Sequence, residues 1–172
     1  MKIPFRNIKF FTQIIILSII FNLSLGGCSK YSNEVEANLT KLKKTKACSG
    51  CDLSGVELIS FDLKNADISG ANLKGANLSK SDLTGANLTD TNLSDADLMG
   101  VNLTGATLTN TNLTRVKLSY ANISEVEMSN VMLVRAKMNN AKVVNSNISY
   151  TDMTGANLYN ANLTDTRVSD KT

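Results

Sequence analysis

Three groups of residues in this 172-residue chain have types and spacings that could do chemistry: the cysteines, a series of aspartates, and a basic stretch late in the sequence. Cys48 and Cys51 stand as CSGC, a spacing that suits two ligands of one metal ion or a single disulfide. Histidine is absent and there is no second cysteine pair, so a four-ligand zinc site would be incomplete. A thioredoxin-like redox role would need a βαβ pattern around the motif, and none is present. In an exported protein the expectation is a structural disulfide between Cys48 and Cys51, with no metal and no other cofactor. Asp52, Asp62, Asp67, Asp82 and Asp97 are separated by multiples of five residues, and they read as parts of a repeat. General acid or base work needs a pocket that shifts the pKa, so no catalytic residue and no enzymatic activity is expected.

Cys28 carries a different chemistry. The segment MKIPFRNIKFFTQIIILSIIFNLSLGGCSK has a positive start, an apolar run from about Ile14 to Leu25, and small residues before Cys28, the layout of a secretory signal. The run falls short of the roughly 20 residues that span a bilayer. LGGC resembles the bacterial lipobox, in which cleavage before the cysteine leaves it as a lipid-bearing N-terminus. Residues 1–27 are thus read as a lipoprotein-type signal peptide and 28–33 as a tether, with Cys28 as the lipidation site and the membrane as a partner through that lipid. The alternatives are an ordinary secreted protein or a short uncleaved anchor. Ser29 in the next position favours onward sorting to an outer membrane, and the periplasmic face is the expected location.

The elements that position these residues come next. In NEVEANLTKLKKTKA, Val35, Leu39 and Leu42 form one apolar stripe, which predicts a helix over 34–47 with Asn33 as its N-cap. Glu34 and Glu36 at its start and Lys43, Lys44 and Lys46 at its end suit the helix dipole. From Leu53 to Val168 every fifth residue is apolar, 24 in succession without a phase slip. A period of five fits neither 3.6 nor 2, so a repeat architecture is implied. Two residues before each apolar position stands a small or modest side chain, as at Ala66, Ala71, Ala76 and Ala86. A narrow tube packed at crystal-like density accepts one large and one small side chain per unit.

Units such as ADISG, ANLKG, ANLSK and ANLTD resemble those of the pentapeptide-repeat proteins, over residues 51–170. TKACSGCDLSG is similar to the way many cyanobacterial members begin their repeats, which makes the thylakoid lumen a further possible location. The resemblance implies an all-β solenoid, a right-handed quadrilateral β-helix over 48–172 with four units per coil and about six coils, capped by the N-terminal α-helix. On that plan the residue just before each apolar centre, and the two after it, face solvent. At the strand spacing of ~4.8 Å the rod would be about 29 Å long. Phe61, too bulky for a small slot, is expected to pack against the cap. With no cap visible at the other end, pairing of two rods through the last coil, as a homodimer, is one expectation and fraying the other.

Basic and acidic residues balance at 15 each from Cys28 onward, which gives no overall basic surface for nucleic acid. The stretch 114–144 departs from the repeat, placing Arg115, Lys117, Arg135, Lys137 and Lys142 together with Met132, Val134 and Val144 at outward positions. These eight residues are the candidate patch for an unknown protein partner, with Asp95 and Asp97 one coil earlier expected to neutralise part of the charge. Drift in a degenerate repeat is the plainer account of the same residues. The function expected is a non-enzymatic, membrane-tethered scaffold or protein–protein interaction module. The alternative, from the resemblance, is a DNA mimic that binds and protects a topoisomerase, although those family members are strongly acidic and cytoplasmic.

Overall fold

The order of secondary structure follows from two local rules, one for a single helix and one for everything after it. A computed structural model describes residues 29–169; the signal-like segment and Cys28 lie outside the described residues. Helix α1 spans Asn33–Thr45 and buries Val35, Leu39 and Leu42. Its N-cap is Ser32, not Asn33: Ser32 keeps an extended backbone and its hydroxyl accepts from the Val35 amide at 3.3 Å. Lys46 ends the helix in the left-handed conformation, its amide donating to the Leu42 carbonyl at 2.8 Å. Among the described residues no helix is long and apolar enough to cross a membrane.

Beyond α1 the chain repeats one five-residue gesture. An outward residue makes a parallel β-bridge, the next side chain points inward, two residues turn, and a small side chain points inward again. The Ala76 amide, for example, closes its turn on the Leu73 carbonyl at 3.0 Å, while the Leu73 amide reaches the Asn92 carbonyl of the following coil at 2.8 Å. Every bridge joins residues 20 apart, which sorts the outward positions into four ladders. We call them wall A (Asp52 to Asp152), wall B (Glu57 to Asn157), wall C (Asp62 to Asn162) and wall D (Ala47 to Arg167). A turn every five residues interrupts each bridge before it can grow into a longer strand, so the ladders are rows of single bridges.

Every corner from Gly50 to Asp165 has positive φ, between 53° and 68°, whether or not glycine stands there. Asparagine and aspartate tolerate that region, but Lys80, Arg115, Tyr120, Arg135 and Tyr150 also adopt it. At Gly85 a Cβ would stand 2.5 Å from Asn65 Oδ1, the end of a side chain that can swing aside, so the preference for glycine there comes from its φ of 67°.

The core is a column of the central apolar residues, fully buried from Leu53 through Val143 and nearly so at Ile148. Between them lie the small inward residues, several of which are polar. Thr91 and Thr111 donate to the carbonyls of Ile68 and Leu88 in the coil before, and Ser146 donates to that of Ile123. No buried side-chain polar atom among the described residues lacks a partner. Towards the C-terminal end Met153, Leu158 and Leu163 are only partly buried and Val168 is exposed.

Filling one small slot tests this packing. Ala86 has no exposed surface, and Ala86→Leu forces a second large side chain into a tube whose coils are pinned by main-chain bonds on both sides. A loss of about 1–3 kcal/mol is expected in chemical denaturation. Asn87→Ser, at the neighbouring outward position, should change the midpoint little.

Candidate interaction surface

The start of the rod is built by contacts between α1 and the first coil. Cys48 and Cys51 form a disulfide with Cα atoms 5.4 Å apart, and both are buried in the hydrophobic core beside the helix. The Asn38 side-chain amide donates to the Asp52 carbonyl, the Lys43 ammonium stands 5.9 Å from the centre of the half-buried Phe61 ring, and Lys46 pairs with Asp62 at 2.9 Å. Tyr31, just before α1, packs on the core and its hydroxyl accepts from the Glu57 amide at 3.1 Å. That contact brings the chain onto the rod at the foot of wall B.

The aspartates act as turn residues. The carboxylates of Asp67 and Asp82 each accept from the hydroxyl and backbone amide two residues on, at Ser69 and Thr84. The hydroxyls first, then those amides and in one case Lys64, hold both acids below the ordinary carboxylate range. Lys46 does the same for Asp62, and Arg115 for Asp95. Lowered folded-state pKa values add stability that is present above the unfolded carboxylate pKa and lost as pH falls through the folded values. Melting temperature should therefore be flat from neutral pH to about pH 5 and decline below about pH 4.

The eight patch residues do not form one surface. Met132 and Val134 belong to wall A, Arg115 and Arg135 to the corner between A and B, Lys117 and Lys137 to wall B, and Lys142 and Val144 to wall C. Walls A and C are separated by B, so Lys142 and Val144 stand away from Met132 and Val134. The segment is continuous in sequence, but five residues carry the chain around a corner. The pairing expected from the sequence is present: Arg115 grips Asp95 through two bonds of 2.6 and 2.7 Å, and Lys117 meets Asp97 at 3.0 Å. Arg135 and Lys137, one coil later, make no ion pair among the described residues.

Sequence reading missed how charge is divided among the walls. Wall B with its two edge columns carries Lys80, Arg115, Lys117, Arg135 and Lys137 against Glu57, Asp95 and Asp97. The rest of the repeat, over residues 47–169, has four basic and nine acidic residues. The signal was available: folding the sequence at a period of 20 instead of five separates these columns.

Eight copies of the family pattern Pentapeptide repeats match the chain, within residues 48–85, 76–115, 96–133, 111–149 and 136–170. No curated protein matches the sequence. Among solved structures, a pentapeptide repeat protein from Nostoc Pcc 7120 is 29% identical, covering 63% of this chain and 78% of its own, with a TM-score of 0.43. The pentapeptide repeat protein Rfr23 from the cyanobacterium Cyanothece 51142 is 26% identical over 78% of this chain and 99% of its own, with a TM-score of 0.30. QnrB1, a plasmid-mediated fluoroquinolone resistance protein, is 16% identical over 72% and 79%, with a TM-score of 0.27.

Proposed function

Because the chain belongs to the pentapeptide-repeat family, whose fold is a right-handed quadrilateral β-helix, we propose that it acts without catalysis, as an exported rod that offers an outer wall to a protein partner. In this reading lipid on Cys28 holds it to a membrane. The observation that carries the protein contact is on wall A. Its ladder runs Asp52, Asn72, Asn92, Asn112 and then Met132, which is 44% exposed and stands beside Val134 and Arg135, a cation with no ion pair among the described residues. An apolar group interrupting an otherwise polar ladder is what the centre of a contact presents. Aspartates held ionised by their neighbours are poor proton donors near neutral pH, which supports the non-catalytic reading.

In-cell crosslinking of the native chain beside Met132→Glu with Val134→Glu tests the contact. A partner captured by the native form and lost by a variant of unchanged melting temperature supports it; equal capture by both removes wall A from the interaction. Cys28→Ser should move the protein from the membrane fraction to the soluble one, and an unchanged distribution would remove the lipid.

The half-buried Leu158 and Leu163 and the exposed Val168 support a second copy docking on the last coil, which light scattering across a concentration series would register. Mimicry of duplex DNA is favoured by the nine acidic residues outside wall B and opposed by wall B itself, where a duplex would show phosphate. Protection of a topoisomerase in a supercoiling assay would reinstate it.

A further inference from the structure

Three observations converge on wall B. It is the wall where basic residues outnumber acidic ones, on a repeat that is otherwise acidic. Two of its acids are occupied by Arg115 and Lys117, while Lys80, Arg135 and Lys137 make no ion pair among the described residues. Moreover, the basic residues found at strained left-handed corners of the repeat, Lys80, Arg115 and Arg135, all stand on its edges, where asparagine or glycine would fit with less strain.

Exposed large apolar and aromatic side chains gather on the same wall. Of the seven among the described residues, Ile59, Met99, Tyr120 and Tyr159 lie on wall B or its edge, spaced from its foot to its far end. Tyrosine, with an apolar ring and a polar tip, and methionine or isoleucine between cations make up the composition of surfaces that rest at the head-group level of an anionic bilayer. The third observation is where the chain joins the rod. Tyr31 is fixed to the Glu57 amide, so the chain enters the rod at the foot of wall B.

We infer that wall B is a lipid-facing wall, on which the rod lies along an anionic membrane surface. The inference deepens the tethered reading and rests on it. The lipid supplies attachment, and the cations of wall B select the face that turns down. The excess of acid on the remaining walls opposes every other orientation, and it leaves Met132 and Val134 on the adjoining wall A open to a protein.

The chain contains no tryptophan, so a single introduced one reports alone. Tyr159 is the best site for it, being 70% exposed and five coils, about 24 Å, beyond Glu57 along the wall. A rod standing on its tether holds this position in water, and a rod lying on wall B brings it to the lipid. The full chain carrying Tyr159→Trp is reconstituted with vesicles of phosphatidylglycerol and phosphatidylcholine, or of phosphatidylcholine alone. Expected are a blue-shifted emission quenched by brominated lipid in the anionic vesicles, and reversal of both by raised salt or by Arg135→Glu with Lys137→Glu. Ser149→Trp, on wall D, should show the same emission with and without anionic lipid.

A chain that floats with the anionic vesicles while Tyr159→Trp stays water-like would overturn the lipid-facing wall and leave the tether intact. Equal shifts at Tyr159→Trp and Ser149→Trp would also overturn it, because the wall would then have no preference. Failure to float sinks the tether and this inference together. If the charge-reversed variant instead loses an acidic protein in crosslinking while vesicles leave Tyr159→Trp unchanged, wall B is a protein contact and not a lipid one.

Discussion

Leu98→Ala is expected to cost near the upper end of the roughly 2–5 kcal/mol that such truncations take. Leu98 has no exposed surface, and it lies in the column formed by Leu78 below and Leu118 above. How much a cavity costs depends on whether its surroundings can close over it. Here they cannot, since the Leu78 amide is bonded to the Asp97 carbonyl and the Leu98 amide to that of Lys117, each at 2.8 Å. The spacing of the coils is set by the main chain, and the void stays. Leu163→Ala, in a half-buried position near the C-terminal end, should cost well under half as much. Denaturant titrations of the two variants decide the matter: equal losses would mean that the end of the rod is covered in solution.

Leu42→Asp should be comparably severe by another route. Leu42 is fully buried in the apolar cluster shared by α1 and the start of the repeat. Truncating it forfeits about 1.5–3 kcal/mol of apolar burial. The carboxylate adds a desolvation cost, so α1 should leave the rod rather than bury the charge. Detachment would uncover the disulfide and Leu53. The measurement is hydrogen exchange: the amides of Leu53 and Leu58 should lose protection while those around Leu108 keep theirs, because each coil depends on its neighbours alone. Lys41→Gln on the exposed side of α1 should leave both sets unchanged.

Much of the fold was legible because one physical rule is repeated many times. The phase of the apolar residues, the small slot two places earlier and the stripe of Val35, Leu39 and Leu42 all follow from side-chain size in a narrow space. Ser32 was overlooked because two adjacent residues can both cap a helix, and only the backbone decides between them. The polar occupants of the small slot, such as Thr91 and Thr111, find their acceptors 23 residues earlier, a distance no local pattern reveals. The candidate patch was the least legible feature. A window along the sequence joins residues 132 to 144, yet the chain turns two corners between Met132 and Val144.

The repeat of 20 also acts as a form of addressing. A residue's number, counted in fives, names its wall, and nothing else about its sequence neighbourhood does. Loss or duplication of a whole coil would shorten or lengthen the rod and leave every side chain facing the same way. Loss of a single five-residue unit, for instance 101–105, would leave the core pattern and the turns intact. It would nevertheless swing Arg135, Lys137 and Tyr159 a quarter turn away from the side at which Tyr31 fastens the chain. Such a protein would fold, and its surface would point in the wrong direction. Selection on this rod can therefore act on arithmetic alone, keeping the phase of an interface while the residues between drift.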